Sequence, residues 1–208
     1  CLAVDEKGKE IDGDQIMAVC AEYLTAQGKL KSEGFVATVM SNLGLHKFCE
    51  ENHLKPLCAA VGDRNVLELM QKESMVLGGE QSGHIIFLEH MTTGDGQLAA
   101  LQFLSILGQS GKKASELAGQ ITHYPQLLQN VKVGSNEEKT AILNSAELAA
   151  IVAREEERLA GHGRILLRAS GTEPLIRVMA EADTQDLAEL VVKTLVQAVE
   201  NIQKILNK

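Results

Sequence analysis

The stretch MVLGGEQSGHIIFL, Met75 to Leu88, places seven residues of mixed chemistry between two apolar runs. Short apolar runs punctuated by glycine predict two buried strands, Met75 to Leu77 and Ile85 to Leu88, joined by the loop GGEQSGH, Gly78 to His84. A loop held between strands is a fixed platform. A carboxylate, an amide, a hydroxyl and an imidazole gathered on it serve binding better than packing.

Outward from that pair, extended and helical periods alternate. Leu2 to Val4 reads as a strand, followed by the turn DEKGKE. Asp14 to Ala26 reads as a helix with Asp12 or Asp14 as N-cap. FVATVM, Phe35 to Met40, is β-branched and extended, Leu43 to Asn52 helical, Leu57 to Val61 extended, and Asn65 to Lys72 helical. TTGDG, Thr92 to Gly96, leads into the apolar helix QLAALQFLSIL with Asp95 as its cap, and Ala114 to Ala118 is a second helix. Strands alternating with helices predict an α/β sandwich. Past Tyr124-Pro125 the character changes: LLQNVKV is extended, Ala146 to Ala160 helical, RILLRA and PLIRVMAEA are strands around SGTE, and Thr184 to Asn207 is a long terminal helix. That β-α-β-β-α unit is large enough for its own core, which divides the chain into residues 1–124 and 125–208. The EEER run, Glu155 to Arg158, reads as a solvated helix face.

Composition narrows the partners. A formal net charge of −8 disfavours general nucleic-acid binding, because no concentrated basic face is visible. No run approaches the roughly 20 apolar residues of a membrane span, and no signal-peptide pattern is present, so a cytoplasmic chain without a membrane partner is the expectation. Cys1, Cys20, Cys49 and Cys58 form no CxxC pair, which predicts reduced, mostly buried thiols. The six histidines show no metal-ligand spacing.

A second cluster, RASGTEPLIR, Arg168 to Arg177, sets two guanidinium groups, two hydroxyls and a glycine between strands. Arginine forks with hydroxyl and N–H donors suit phosphate oxygens. An ordinary hairpin with an arginine paired to Glu173 fits the same residues. No GxxxxGK[ST] or GxGxxG loop occurs, which turns the expectation from nucleotides towards a small phosphorylated ligand. Glu80, Ser82 and His84 offer hydrogen bonds to hydroxyls, while Arg168, Ser170, Thr172 and Arg177 offer charge to a dianion, so a phosphosugar satisfies both sets.

GGEQSGHIIF, TTGDG and RASGTEPLIRVM together resemble the C-terminal half of the bacterial phosphoglucosamine mutases, within the α-D-phosphohexomutase superfamily. The resemblance covers nearly the whole chain and implies the third and fourth of four domains: a three-layer α/β sandwich followed by a smaller α+β domain of the TATA-binding-protein-like type. It implies a sugar-binding loop at Glu80, Ser82 and His84, and a phosphate-binding loop at Arg168, Ser170, Gly171, Thr172 and Arg177. The family's VGDR loop matches Val61 to Arg64, making Gly62, Asp63 and Arg64 substrate-binding candidates, although Asp63 as a helix cap fits equally. Ser41 and Asn42 hold a similar strand-end position.

The family's phosphoserine and its magnesium loop DGDGDR belong to the first two domains and are not in this sequence. CLAVDEKGKEIDGD resembles the segment directly after that loop in relatives, so the expectation is a chain cut just past it. The implied parent activity interconverts glucosamine 6-phosphate and glucosamine 1-phosphate through a 1,6-bisphosphate, with Mg²⁺ in the parent and no catalytic or metal-binding residue here. The expected partners are the phosphosugar and the missing N-terminal half, and an apolar face left by truncation would favour a homodimer. A phosphomannomutase or phosphoglucomutase parent, whose relatives tend to carry methionine at the Gln81 position, a non-catalytic phosphosugar-binding module and a purely structural unit are the competing readings.

Overall fold

The structure is a computed structural model that describes residues 1–171 and 173–206; Thr172, Asn207 and Lys208 lie outside the described residues. Contacts divide the chain into two units, Cys1–His123 and Tyr124–Lys208. The first contains, in order, β1 (Ala3–Val4), β2 (Glu10–Ile11), α1 (Gly13–Ala26), β3 (Gly34–Thr38), α2 (Leu43–Glu51), β4 (Lys55–Ala59), α3 (Asp63–Lys72), β5 (Leu77–Gly79), β6 (Ile85–Phe87), α4 (Gly96–Ser110) and α5 (Ala114–Ala118). Strands β4, β3, β5 and β6 form one sheet in that order, parallel except for the antiparallel β5–β6 hairpin.

Period-two burial explains the layers. Phe35 and Ala37 of β3, with Ile85 and Phe87 of β6, face a core built with α1, α2, α4 and α5. Val36 and Ile86, one residue out of phase, face the opposite way and pack with Val66 and Met70 of α3. The result is helix on both faces of one sheet, the three-layer sandwich that the alternating periods predict. Each large apolar side chain so buried contributes about 1.5–3 kcal/mol. Gly78 sits where α3 crosses the sheet: a Cβ there would lie 2.6 Å from Met70 Sδ.

Several sequence expectations are corrected. Met75 and Val76 lie outside β5, whose strand is LGG, so Gly78 and Gly79 belong to the strand and not to the loop. Helix α3 starts earlier than Asn65, with Gly62 at the N-cap and Asp63 as its first residue; Asp63 is not the cap. Asn42 caps α2, accepting from Gly44 N–H at 3.0 Å, and both Ser41 and Asn42 are fully buried, which removes them as ligand contacts. Only Cys20 and Cys49 are buried, and burial pushes both thiols up to about 12, with Asp14 and Cys58 adding to the shift at Cys49; Cys58 is exposed.

The second unit contains β7 (Gln126–Lys132), α6 (Asn136–Leu143), α7 (Ala146–Leu159), β8 (Gly163–Ala169), β9 (Leu175–Ala182) and α8 (Gln185–Leu206). Its antiparallel sheet has the order β7-β9-β8. Ile176, Val178, Ala180 and Ala182 of the central strand pack in one core with Ile142 of α6, Leu148 and Leu159 of α7, and Val191, Val192, Leu195 and Val199 of α8. This is the smaller α+β unit, with one helix, α6, more than the sequence pattern predicts. The EEER expectation also fails at its first residue, because Glu155 is fully buried between Arg154 (3.1 Å) and Arg158 (3.2 Å). Among the described residues no helix is long and apolar enough to cross a membrane.

Candidate functional site

In the first unit the β5–β6 hairpin carries the loop. Register pairs Gly79 with Ile85, Glu80 N–H donates to His84 O at 3.0 Å, and Gly83 N–H donates to Glu80 O at 2.9 Å, which folds five residues into a tight, fixed turn. The Glu80 carboxylate accepts from Gly62 N–H at 2.9 Å, so it ties the turn to the start of α3. That bond brings VGDR beside GEQSGH. Asp63 Oδ2 then lies 3.7 Å from His84 Nε2, an ion pair when the imidazole is protonated. Ser82 stands exposed at the tip. Arg64 is not drawn in; its Nε pairs with Glu68 at 2.8 Å along the exposed side of α3.

Two supports of this loop escape a reading of the sequence. The His84 ring packs on Gly94 of TTGDG, where a Cβ would fall 2.3 Å from Nε2, and among the described residues that nitrogen is shielded without a hydrogen-bond partner. Gln81 reaches the cap of α1: its Nε2 donates to Asp12 Oδ2 at 3.3 Å, while its carbonyl accepts from Gly13 N–H at 2.9 Å. Asp12 also accepts from Gln15 N–H at 3.0 Å and lies 3.4 Å from His123 Nε2. Burial alone would raise the Asp12 carboxyl, but the hydrogen bonds from His123, Gln15 and Gln81 together hold it below its ordinary value. Asp95 caps α4 by accepting from Gln97 and Leu98 N–H, as its position predicts.

In the second unit the β8–β9 hairpin carries RASGTEPLIR. Antiparallel register sets Arg168 directly opposite Arg177. Like charges in that relation repel and weaken a sheet. Four residues along β8, Arg164 stands opposite Glu181 and is neutralised by a two-point contact, Nε to Oε2 at 2.6 Å and Nη2 to Oε1 at 3.2 Å. Arg168 and Arg177 have no such carboxylate: among the described residues, neither buried Nε–H has an acceptor. Burial first, and the Arg177 charge second, pull the Arg168 guanidinium below its ordinary value. The hairpin reading with an arginine paired to Glu173 therefore loses its ion pair.

The loop beyond Arg168 is held from within. Ser170 is buried, its N–H donates to Leu175 O at 3.0 Å, and its hydroxyl accepts from Glu173 N–H at 3.2 Å. Gly171 is exposed, and Thr172 lies outside the described residues. Beneath the loop lies Lys139 of α6, buried, with its ammonium donating to Ser170 O at 2.7 Å and to Glu173 O at 3.3 Å. Sequence reasoning misses Lys139 together with its helix. The available signal is Ser135 three residues before Glu138, where the Ser135 hydroxyl accepts from Glu138 N–H at 3.1 Å. Among the described residues no group of three or more His, Cys, Asp or Glu side chains is placed to hold a metal ion.

Two family models match the chain. Residues 12–124 match the family model "Phosphoglucomutase/phosphomannomutase, alpha/beta/alpha domain III", and residues 128–198 match "Phosphoglucomutase/phosphomannomutase, C-terminal domain". A phosphoglucosamine mutase of Anoxybacillus flavithermus is 55% identical over 188 residues, 90% of this chain and 41% of the relative. That of Ligilactobacillus salivarius is 50% identical over 200 residues, 96% of this chain and 44% of the relative. The chain thus spans less than half the length of the curated relatives it matches. Among solved structures, the N-acetylphosphoglucosamine mutase of Aspergillus fumigatus shares the fold with a TM-score of 0.80 at 22% identity, covering 97% of this chain and 46% of that one.

Proposed function

Given that the chain belongs to the phosphoglucomutase/phosphomannomutase family, we propose that it is the substrate-recognising part of a phosphoglucosamine mutase. The parent enzyme would interconvert glucosamine 6-phosphate and glucosamine 1-phosphate. The observation that carries this reading is the cross-strand pair Arg168 and Arg177, two guanidinium groups set opposite each other whose Nε–H groups find no acceptor among the described residues. An anion shared between the two guanidinium groups relieves their repulsion, and a phosphate dianion matches two forks.

Each loop has a distinct task. Arg168 and Arg177 hold the phosphate, with Ser170, Gly171 and Thr172 as further donors. Glu80, Ser82 and His84, with Gly62 and Asp63 beside them, read ring hydroxyls. The mutase reaction needs a phosphoryl-carrying serine and a magnesium ion, which the family resemblance assigns to the parent's other domains, so this chain orients substrate and moves no phosphoryl group. In support, related structures were solved with GlcNAc-6P and magnesium and with glucose 1,6-bisphosphate. The magnesium implied by the family would supply charge stabilisation at the transferring group. Preference for glucosamine over mannose or glucose phosphates rests on the phosphoglucosamine mutases among the relatives.

Calorimetric titration with glucosamine 6-phosphate tests the reading. Binding should be measurable and weaker by about 1.5–3 kcal/mol in Arg168→Ala, the usual cost of removing a charged hydrogen-bond partner, while the same sample shows no turnover. Equal affinity in the variant, or interconversion by the pure chain, would refute it.

A further inference from the structure

The second unit holds a cation that the proposed phosphate loop does not itself contain. Lys139 is 7% exposed, and its two hydrogen bonds run to carbonyl oxygens of Ser170 and Glu173, at the two ends of the SGTE turn. A buried ammonium is expensive to keep and is normally matched by a carboxylate. Among the described residues Lys139 makes no ion pair with a carboxylate; it is matched by the dipoles of the loop.

Those bonds fix more than position. The Ser170–Gly171 peptide is planar and trans, so its C=O and N–H point in opposite directions. With the carbonyl drawn to Lys139, the Gly171 N–H is turned away from α6 and towards the open side of the turn. Among the described residues that N–H has no acceptor, and a Cβ built on Gly171 meets nothing within 4 Å. Meanwhile Ser170, held between Leu175 O and Glu173 N–H, accepts through its hydroxyl oxygen and keeps its own proton to donate. One side of the turn is thereby left with donors, and the acceptors are turned inward on the lysine. A free backbone N–H beside a hydroxyl that keeps its proton offers an anion two donors.

We propose that Lys139 is the positioning residue of the phosphate loop: its ammonium holds the Ser170 and Glu173 carbonyls inward so that the Gly171 N–H and the Ser170 hydroxyl face a phosphate dianion beside Arg168 and Arg177. Lys139 does not touch the ligand. The inference rests on the reading of RASGTEP as a phosphate loop, and the two can fail separately.

Titration of the 208-residue chain with inorganic phosphate, monitored by amide NMR at a temperature where every variant is folded, separates them. In the wild-type chain the Gly171 amide should move on saturation. Lys139→Met should weaken phosphate binding by roughly tenfold or more and lose the Gly171 shift, and Lys139→Arg, which restores a cation and donors, should recover most of the affinity. If Lys139→Met does not fold, Lys139→Gln replaces it, with the same expected loss. A Met or Gln variant that binds phosphate as wild type does, while Arg168→Ala does not bind, overturns the role of Lys139 and leaves the phosphate loop standing. Wild-type affinity in Arg168→Ala overturns the loop reading, and the role of Lys139 with it.

Discussion

In the first unit's loop, the use of one residue is defined by its surroundings. His84 is held by a missing side chain: the imidazole occupies the space that a Cβ on Gly94 would need. Gly94→Ala would set a methyl 2.3 Å from Nε2, and the ring must swing aside because the side chain yields more readily than the backbone. The expected cost is about 1–3 kcal/mol of stability, with a displaced His84 ring resonance in proton NMR. An unchanged melting temperature and an unchanged His84 resonance would show that Gly94 does not set the ring. The residue identities are legible in the sequence, because density of polar chemistry between strands is visible there. Their supports are not: nothing in TTGDG reveals which ring it backs, and nothing local to Asp12 announces Gln81 and His123, which lie 69 and 111 positions away.

Elements are legible where burial and hydrophobicity coincide and illegible where they part. Helix α6 has two buried positions, Lys139 and Ile142, so half of its inward face reads as surface. Helix α7 is plain in the pattern, yet its buried set is Leu148, Glu155 and Leu159, and the acid at the middle position makes EEER look solvated. At the other extreme, α1 is marked plainly by its cap, and its cap titrates. Hydrogen bonds hold the folded Asp12 carboxyl below its ordinary value against the opposing effect of burial. A depressed carboxyl contributes stability that is present above the unfolded value, about 3.9, and is lost as pH falls through the folded value. Asp12→Asn keeps an N-cap oxygen but cannot titrate, so its urea midpoint should change less than that of the wild-type chain on acidification below about pH 4. Parallel midpoint curves would mean that Asp12 contributes nothing to acid sensitivity.

At the largest scale, the described residues of the first unit pack into apolar clusters on the two faces of its sheet, and those of the second unit pack into a cluster of their own. Ile142 is fully buried in the second. Ile142→Ala should destabilise that unit by about 2–5 kcal/mol, raising hydrogen exchange in β7–β9 and α8 and leaving the β3–β6 sheet as protected as before. Uniform loss of protection would make the chain one cooperative body. Fold class is open to sequence reading here because alternating strand and helix periods are long-range patterns that single buried charges do not erase. The proposed reading gives ring hydroxyls to the loop Gly78–His84 of the first unit and phosphate to the loop Arg168–Arg177 of the second. Amide NMR of the chain titrated with glucosamine 6-phosphate, and separately with inorganic phosphate, tests it most directly. The sugar phosphate should shift amides in both Gly78–His84 and Arg168–Arg177, and inorganic phosphate only those in the second. Glucosamine 6-phosphate that leaves both stretches unmoved at millimolar concentration would contradict the claim.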